Sequence, residues 1–139
     1  MSQLVLDASA AVRLVVPGLA VGPSVQDAVN NVDSVVVPSM YSSEVANALW
    51  KYVRAGEIPL ADAKALLDNA LGLPDIEQSV DHSITIEAFA EACRLNHPVY
   101  DLVYVVIARR LAVPLVTCDK RLASLAATLG IEVIGCEVA

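Results

Sequence analysis

Residues 97–122 read HPVYDLVYVVIARRLAVPLVTCDKRL, and the rest of the chain is best understood from this stretch. Its pattern predicts a buried helix, a turn at residues 113–114, a strand at residues 115–117 and a second helix that opens at Asp119. Asp101 lies in the first turn of the first helix, and Asp119 directly follows the strand. An acidic residue in such a place either caps a helix or binds a ligand.

The length and composition of the chain indicate one domain with a large apolar surface. The chain has 139 residues, and its hydrophobic fraction of 56% exceeds the usual range of about 45–50%. We expect a single domain over residues 1–139, with apolar surface left over for a partner. No apolar run reaches the ~18 residues of a membrane span, and the N-terminus lacks the features of a secretion signal. These patterns predict a cytoplasmic location away from membranes.

The ionisable and sulfur-containing residues restrict the chemistry further. None of the three cysteines lies in a CxxC pair, which fits a reducing compartment better than a disulfide framework. The two histidines are too few for a typical zinc site. The formal net charge of −7 argues against a nucleic-acid binder of the usual basic kind. It leaves open a nucleic-acid enzyme whose positive charge comes from metal ions.

Apolar strand patterns alternate with helical patterns along the chain. Strands are predicted at residues 3–6, 34–37, 75–80, 115–117 and 131–134, and helices at residues 9–16, 23–31, 39–55, 59–71, 85–95 and 121–129, besides the helix that contains Asp101. Continuously apolar strands separated by helices predict a central parallel sheet covered on both faces. The expected fold class is therefore α/β, a three-layer α/β/α sandwich.

Some helix faces are assigned from the pattern of apolar and charged residues. In the helix at residues 85–95, four apolar side chains are expected to face inward: Ile86, Phe89, Ala90 and Cys93. Arg109 and Arg110 are expected to face solvent or a partner. The helix at residues 39–55 carries large side chains that either dock a partner helix or pack inside: Met40, Tyr41, Leu49, Trp50 and Tyr52. For Tyr41 and Leu49 the pattern favours the interior.

Four acidic residues belong to one edge of the predicted sheet. In a parallel sheet, ligands bind outside the carboxyl ends of the strands where the strand order reverses. Asp7 follows the first strand, Glu44 lies near the start of the helix after the second strand, and Asp119 follows the fourth. Asp101 opens the helix that feeds the fourth strand, which places it at the same edge. Each acid alone is explained as a helix cap or a surface charge, but four together need a further explanation.

The negative charges of carboxylates that converge in this way must be compensated. Two of them at about 4 Å repel by roughly 4 kcal/mol at an effective dielectric constant of about 20, so the cluster either shares protons or binds cations. Oxygen ligands without histidine or thiolate select Mg²⁺ or Mn²⁺, and such ions hold phosphates and activate water for in-line attack. The sequence therefore predicts metal-dependent cleavage of phosphodiester bonds through Asp7, Glu44, Asp101 and Asp119.

Small polar and basic residues accompany the acids. Ser9 and Thr117 each lie two residues from an acid that follows a strand, and Asn47 shares a helix face with Glu44. All three are candidates to orient a carboxylate or a metal-bound water, although Ser9 and Thr117 also suit local backbone hydrogen bonds. Five nearby cations either follow a phosphate backbone or are ordinary surface charges: Arg13, Lys51, Arg54, Lys120 and Arg121.

Four segments resemble the signature blocks of PIN-domain ribonucleases. They are LVLDAS at residues 4–9, SEVANAL at 43–49, YD at 100–101 and LVTCDKRL at 115–122. The length and layout are similar to those of the VapC toxins of bacterial and archaeal toxin–antitoxin pairs. The resemblance covers essentially the whole chain.

The resemblance implies a fold, an activity and partners. It implies an α/β/α sandwich that acts as a Mg²⁺- or Mn²⁺-dependent endoribonuclease, with Asp7, Glu44, Asp101 and Asp119 as metal ligands. It also implies a homodimer and a small antitoxin that covers the active site. Many members carry another acid just after the fourth one, but Lys120 stands here, so we expect one tightly held ion and a second recruited by substrate. The alternative is a PIN-fold interaction module that does not cleave RNA.

Overall fold

A five-stranded sheet forms the centre of the computed structural model, which describes residues 1–136. The strands are β1 (Gln3–Leu6), β2 (Ser34–Pro38), β3 (Ile76–Gln78), β4 (Leu115–Thr117) and β5 (Val133–Gly135). All neighbouring strands are parallel, in the order β3-β2-β1-β4-β5. The strand order reverses between β1 and β4, so the binding edge expected for such a sheet lies at the carboxyl ends of these two strands.

Seven helices in the described part of the chain cover both faces of the sheet. They are α1 (Ala8–Val15), α2 (Pro23–Asn31), α3 (Tyr41–Arg54), α4 (Leu60–Leu71), α5 (His82–Leu95), α6 (Val99–Leu111) and α7 (Lys120–Thr128). Side chains of β1 alternate between the faces. Leu4 and Leu6 pack with α1 to α4, whereas Val5 packs with α5 to α7. The predicted α/β/α sandwich is confirmed. No helix within residues 1–136 is long and apolar enough to cross a membrane.

Helix α6 is a core element although its sequence is rich in β-branched residues. Residues 102–108 are all buried, and apolar contacts on every side compensate for the modest helix propensity of its valines. The helix ends at Ala112, which adopts the left-handed conformation with a φ of 55°. Asp101 lies in the first turn of this helix, as the sequence predicts. Its backbone is therefore attached to one of the most deeply packed parts of the fold.

Helix α5 is rotated relative to the orientation expected from the sequence. Its buried residues are Ile84, Ala88 and Ala92, whereas the four residues predicted to face inward are all exposed: Ile86, Phe89, Ala90 and Cys93. The exposed fraction is 67% for Ile86 and 59% for Phe89. The prediction was wrong because α5 carries two apolar stripes at helical spacing, and the stripe with the smaller side chains is the one packed against α6.

Ion pairs at the margin of the α5–α6 contact accompany this rotation. Arg109 of α6 lies 2.7 Å from Glu87 and 3.1 Å from Glu91 of α5, and Arg110 lies 2.9 Å from Glu87. Ion pairs near the surface contribute only about 0.2–1 kcal/mol each, so these partly exposed pairs help to orient α5 more than they stabilise the fold. The expectation that these arginines face solvent or a partner was incomplete, because both contact α5.

Two of the three cysteines form a disulfide, contrary to the sequence expectation. Cys118 and Cys136 are disulfide-bonded with a Cα–Cα distance of 4.9 Å, and Cys93 is free and exposed. The pairing follows from strand register, because Thr117 of β4 lies opposite Gly135 of β5 and a cysteine directly follows each of these two residues. The 18-residue separation in sequence does not reveal this register.

Candidate active site

Asp7 is a buried carboxylate held by donors from helix α1 and strand β4. It is 4% exposed and caps α1, because its Oδ1 accepts hydrogen bonds from the Ala10 amide at 3.0 Å and the Ser9 hydroxyl at 2.7 Å. Its Oδ2 accepts a hydrogen bond from the Thr117 hydroxyl of β4 at 2.5 Å. Burial raises the pKa of Asp7 to about 6, since the desolvation of the charged form outweighs these hydrogen bonds and the charge of Asp101 adds to it.

Glu44 lies in the first turn of α3 and is bound by a tyrosine from the opposite helical layer. The hydroxyl of Tyr104, on α6, donates to Glu44 Oε1 at 2.6 Å. Burial raises the pKa of Glu44; the hydrogen bond from Tyr104 opposes this change, and the charge of Asp101 reinforces it. No pattern in the sequence indicated Tyr104 as a partner of this site.

Asp101 is held by a histidine that precedes its helix. His97 Nε2 lies 2.8 Å from Asp101 Oδ2. The side chain of Asp101 is 33% exposed, whereas that of His97 is 3% exposed. The imidazole therefore supports the carboxylate from the interior while the carboxylate reaches the surface of the sheet edge.

Asp119 caps helix α7, which is one of the two roles that the sequence left open for it. Its Oδ1 accepts hydrogen bonds from the amides of Arg121 at 2.9 Å and Leu122 at 3.2 Å, which caps α7. Its own amide donates to the Thr117 hydroxyl oxygen at 3.0 Å. A helix cap also suits a cation ligand, because the second carboxylate oxygen makes no hydrogen bond within residues 1–136.

The residues predicted to orient the acids differ in what they contact. Ser9 and Thr117 both donate to Asp7. Asn47 is exposed on α3 and its side chain makes no hydrogen bond within the described residues, so its role stays a prediction. His97 and Tyr104 were missed, because His97 reaches Asp101 from the turn before α6 and Tyr104 reaches Glu44 on another helix, and neither contact follows from local spacing.

The acids influence one another, but they are not gathered into a ready-made coordination sphere. The charge of Asp101 contributes to the raised pKa values of Asp7 and Glu44, so these three carboxylates are electrostatic neighbours. Within residues 1–136, no three acidic, histidine or cysteine side chains are placed closely enough to hold one metal ion. The donor set nevertheless fits a hard cation. Neighbouring carboxylates repel one another, and Mg²⁺ or Mn²⁺ bound between their oxygens would relieve this repulsion. Binding would require movement of the side chains.

A groove beside this edge brings two of the predicted cations near the acids. It lies between α1 and α3, has a volume of about 460 Å³ and begins at Ser9. Arg13 and Lys51 line it together with largely apolar residues of both helices and the acidic residue Glu57. Arg13 also donates to the Ala20 carbonyl at 3.0 Å. An extended anionic chain that reaches Asp7 along this groove would pass both cations.

The fold and this edge define an α/β protein with a carboxylate site at the switch point of a parallel sheet. Residues 4–128 match the model of the PIN domain, and the chain belongs to this family. The resemblance to PIN-domain ribonucleases of the VapC type is confirmed. Ribonuclease VapC3 of Pyrobaculum aerophilum is 30% identical over 122 residues, which are 87% of this chain and 92% of the relative.

Two further comparisons agree with this assignment. Ribonuclease VapC12 of Mycobacterium tuberculosis is 35% identical over 120 residues, which are 86% of this chain and 89% of the relative. The crystal structure of Mycobacterium tuberculosis VapC20, described as a sarcin-ricin loop cleaving toxin, is similar with a TM-score of 0.66 and 16% identity. The match covers 87% of this chain and 93% of that one. At this identity, the structural likeness shows the shared fold.

Proposed function

We propose that this chain is a metal-dependent endoribonuclease and the toxin of a type II toxin–antitoxin pair. The observation that carries the proposal is that Asp7, Glu44 and Asp101 lie at the carboxyl edge of the sheet, where the charge of Asp101 contributes to the raised pKa values of the other two. Uncompensated carboxylates in this arrangement favour a divalent cation. The ribonuclease relatives over nearly the whole chain support RNA as the substrate class.

The residues of the site have distinct tasks in this proposal. Asp7, Glu44 and Asp101 would hold Mg²⁺ or Mn²⁺, together with Asp119. When bound, the cation supplies a Lewis acid that lowers the pKa of water and stabilises charge on the scissile phosphate. Ser9 and Thr117 keep Asp7 in place through their hydrogen bonds. In the groove, Arg13 and Lys51 bind the RNA backbone next to the acids.

Substitution of Asp101 tests the activity. Asp101→Asn keeps the size of the side chain and removes its charge, so cleavage should fall by at least a hundredfold. The measurement is cleavage of a sarcin–ricin stem-loop RNA and of total cellular RNA by purified protein with Mg²⁺ or Mn²⁺, and with excess chelator. Asp62→Asn is the matched control, because Asp62 is exposed on α4.

The outcomes separate the proposal from a non-catalytic module. Metal-dependent cleavage by the wild type and the Asp62 variant, together with loss in the Asp101 variant, supports the nuclease. Undiminished cleavage in chelator contradicts the role of the metal. No cleavage of either RNA by wild type, combined with tight binding of the antitoxin, favours the interaction module.

An apolar groove between α3 and α4 is the proposed antitoxin contact. It is lined by Leu49, Trp50, Val53, Leu60 and Leu67, among others. Trp50 is 51% exposed and Leu60 60% exposed, although both are large and apolar. An amphipathic helix would cover them. Trp50→Ala should weaken binding of the cognate antitoxin by at least tenfold in calorimetry. Unchanged affinity would contradict this location.

The exposed stripe of α5 is the proposed homodimer contact. Its apolar residues follow the spacing of one helix face: Ile86, Phe89, Ala90 and Cys93. Phe89→Asp should convert a dimer to a monomer in light scattering, because a charge would be buried against its copy. Ala127→Asp on the exposed part of α7 is the control and should stay dimeric. A wild-type monomer at micromolar concentration would contradict the dimer.

A further inference from the structure

His97 lies in the short turn that joins α5 to α6. Asn96 ends α5 in the left-handed conformation with a φ of 53°, and Pro98 immediately precedes α6 with a φ of −57°. The His97 amide donates to the Ala92 carbonyl at 3.1 Å. The backbone of His97 is therefore held on both sides, and the turn directs its side chain toward the first turn of α6.

The imidazole makes one contact and leaves one nitrogen without a partner. His97 Nε2 lies 2.8 Å from Asp101 Oδ2, and the side chain is 3% exposed. His97 Nδ1 is buried and makes no hydrogen bond within the described residues. In the same part of the chain, the carboxylate of Asp101 accepts no hydrogen bond other than this one. Asp101 Oδ1 is thus left available for another ligand.

This arrangement is unfavourable for stability alone. Because a carboxylate accepts hydrogen bonds, Nε2 donates to Asp101, and the buried Nδ1 is left without a partner of its own. A buried polar atom without a partner destabilises a fold. An apolar ring of similar size would fill the same volume without that disadvantage. The presence of an imidazole is therefore explained by its hydrogen bond to Asp101, which an apolar ring cannot make.

We propose that His97 is a positioning residue that holds Asp101 Oδ2 so that Oδ1 faces an incoming divalent cation. The inference rests on the proposed metal site. Asp7 has three donors and Glu44 has Tyr104, but within the described residues Asp101 has His97 alone. Loss of such a supporting hydrogen bond typically lowers metal affinity by about 10–100-fold.

The test compares two substitutions of His97 in metal-free protein. His97→Gln places an amide donor the same number of bonds from Cα as Nε2, whereas His97→Phe keeps the ring and removes both nitrogens. Mn²⁺ binding is measured by calorimetry, and thermal unfolding is measured without metal. We expect the dissociation constant for Mn²⁺ to rise 10–100-fold in the Phe variant, in line with other supporting residues, and to stay within about threefold of wild type in the Gln variant.

A readout beyond binding separates positioning from a structural role. RNA cleavage by the Phe variant should be reduced at low Mn²⁺ and restored at saturating Mn²⁺, while its unfolding temperature without metal is not lowered. His82→Gln is the control, because His82 is the exposed first residue of α5. It should bind Mn²⁺ as the wild type does.

The possible results distinguish this inference from the proposed function. Wild-type affinity in the Phe variant overturns the positioning role alone and leaves the metal site intact. Equal loss in the Gln and Phe variants also overturns it, because the retained donor then has no effect. Absence of Mn²⁺ binding by the wild type overturns both the metal site and the role of His97. Recovery of affinity in the Gln variant supports the inference.

Discussion

The hydroxyl of Tyr104 donates a 2.6 Å hydrogen bond to Glu44 Oε1, and this bond joins the two helical layers across the carboxyl edge of the sheet. Tyr104 belongs to α6, which packs on one face with Val5. Glu44 belongs to α3, whose core residues pack on the other face with Leu4 and Leu6. Because the bond spans the sheet at the candidate site, it links the position of Glu44 to the helix that carries Asp101.

Removal of this hydroxyl should affect both stability and the pKa of Glu44. Tyr104→Phe keeps the buried ring and removes a hydrogen bond to a charged group, which is worth about 1.5–3 kcal/mol; we expect about half of this to be lost, because Glu44 is partly exposed to water. The pKa of Glu44 should rise further above its usual value. Urea unfolding and carboxyl NMR titration measure these effects. Tyr100→Phe, at a tyrosine that is 69% exposed, should change neither quantity.

The raised pKa of Asp7 predicts that the metal-free protein loses stability as the pH rises. Asp7 titrates near 6 in the folded chain and at 3.8 when unperturbed. Between these values the folded state binds more protons than the unfolded state, so stability is highest below the unfolded pKa and falls until the pH exceeds about 6. The difference corresponds to about 3 kcal/mol.

Substitution of Asp7 checks the direction of this change of stability with pH. Asp7→Asn should be more stable than the wild type above pH 7 without metal, by about 1–3 kcal/mol, and the two proteins should converge below pH 4. Unfolding in urea at several pH values measures the difference. A variant that is less stable at high pH would show that burial does not dominate the environment of Asp7. The Asp62→Asn control should follow the wild type at every pH.

Thr117 gives a matched pair of substitutions at the same site. Its hydroxyl donates to Asp7 and accepts from the Asp119 amide, and the residue is 1% exposed. Thr117→Val leaves both partners without this bond and should lower the free energy of unfolding by about 1–3 kcal/mol. Thr117→Ser retains the hydroxyl and should lose less. Equal losses in urea unfolding would indicate that the methyl group, not the hydroxyl, is the important part.

The sequence predicts the positions of the acids because they follow from elements with strong local signals. Apolar runs that end in Asp7 and Asp119 identify two strands, and in a parallel sheet both strands end at the same edge. Helical spacing then places Glu44 and Asp101 nearby. These inferences need the order of the elements along the chain and no information about how helices rotate.

The features that were missed depend on rotation, turn geometry and register. The outward face of α5 depends on which of its two apolar stripes packs on α6. The local pattern, with Phe89 in one stripe and Ile84 in the other, does not decide between them. The contact of His97 with Asp101 depends on the turn formed by Asn96 and Pro98. The hydrogen bond from Tyr104 depends on the distance between two helical layers. The local spacing of residues along the chain determines none of these features, so the structure is needed to find them.

The Cys118–Cys136 disulfide predicts a loss of stability on reduction. It closes a loop over 18 residues, and the restriction of the unfolded chain by a loop of this length is worth about 3 kcal/mol. Cys136→Ser, or a reducing agent, should therefore lower the free energy of unfolding by roughly this amount. Cys93→Ser is the control and should have no such effect, because Cys93 is free and exposed. Thiol counting on the unfolded protein provides an independent check, with one reactive thiol expected before reduction and three afterwards. Three thiols in protein purified without reductant would contradict the bond and leave Cys118 as a thiol between Thr117 and Asp119.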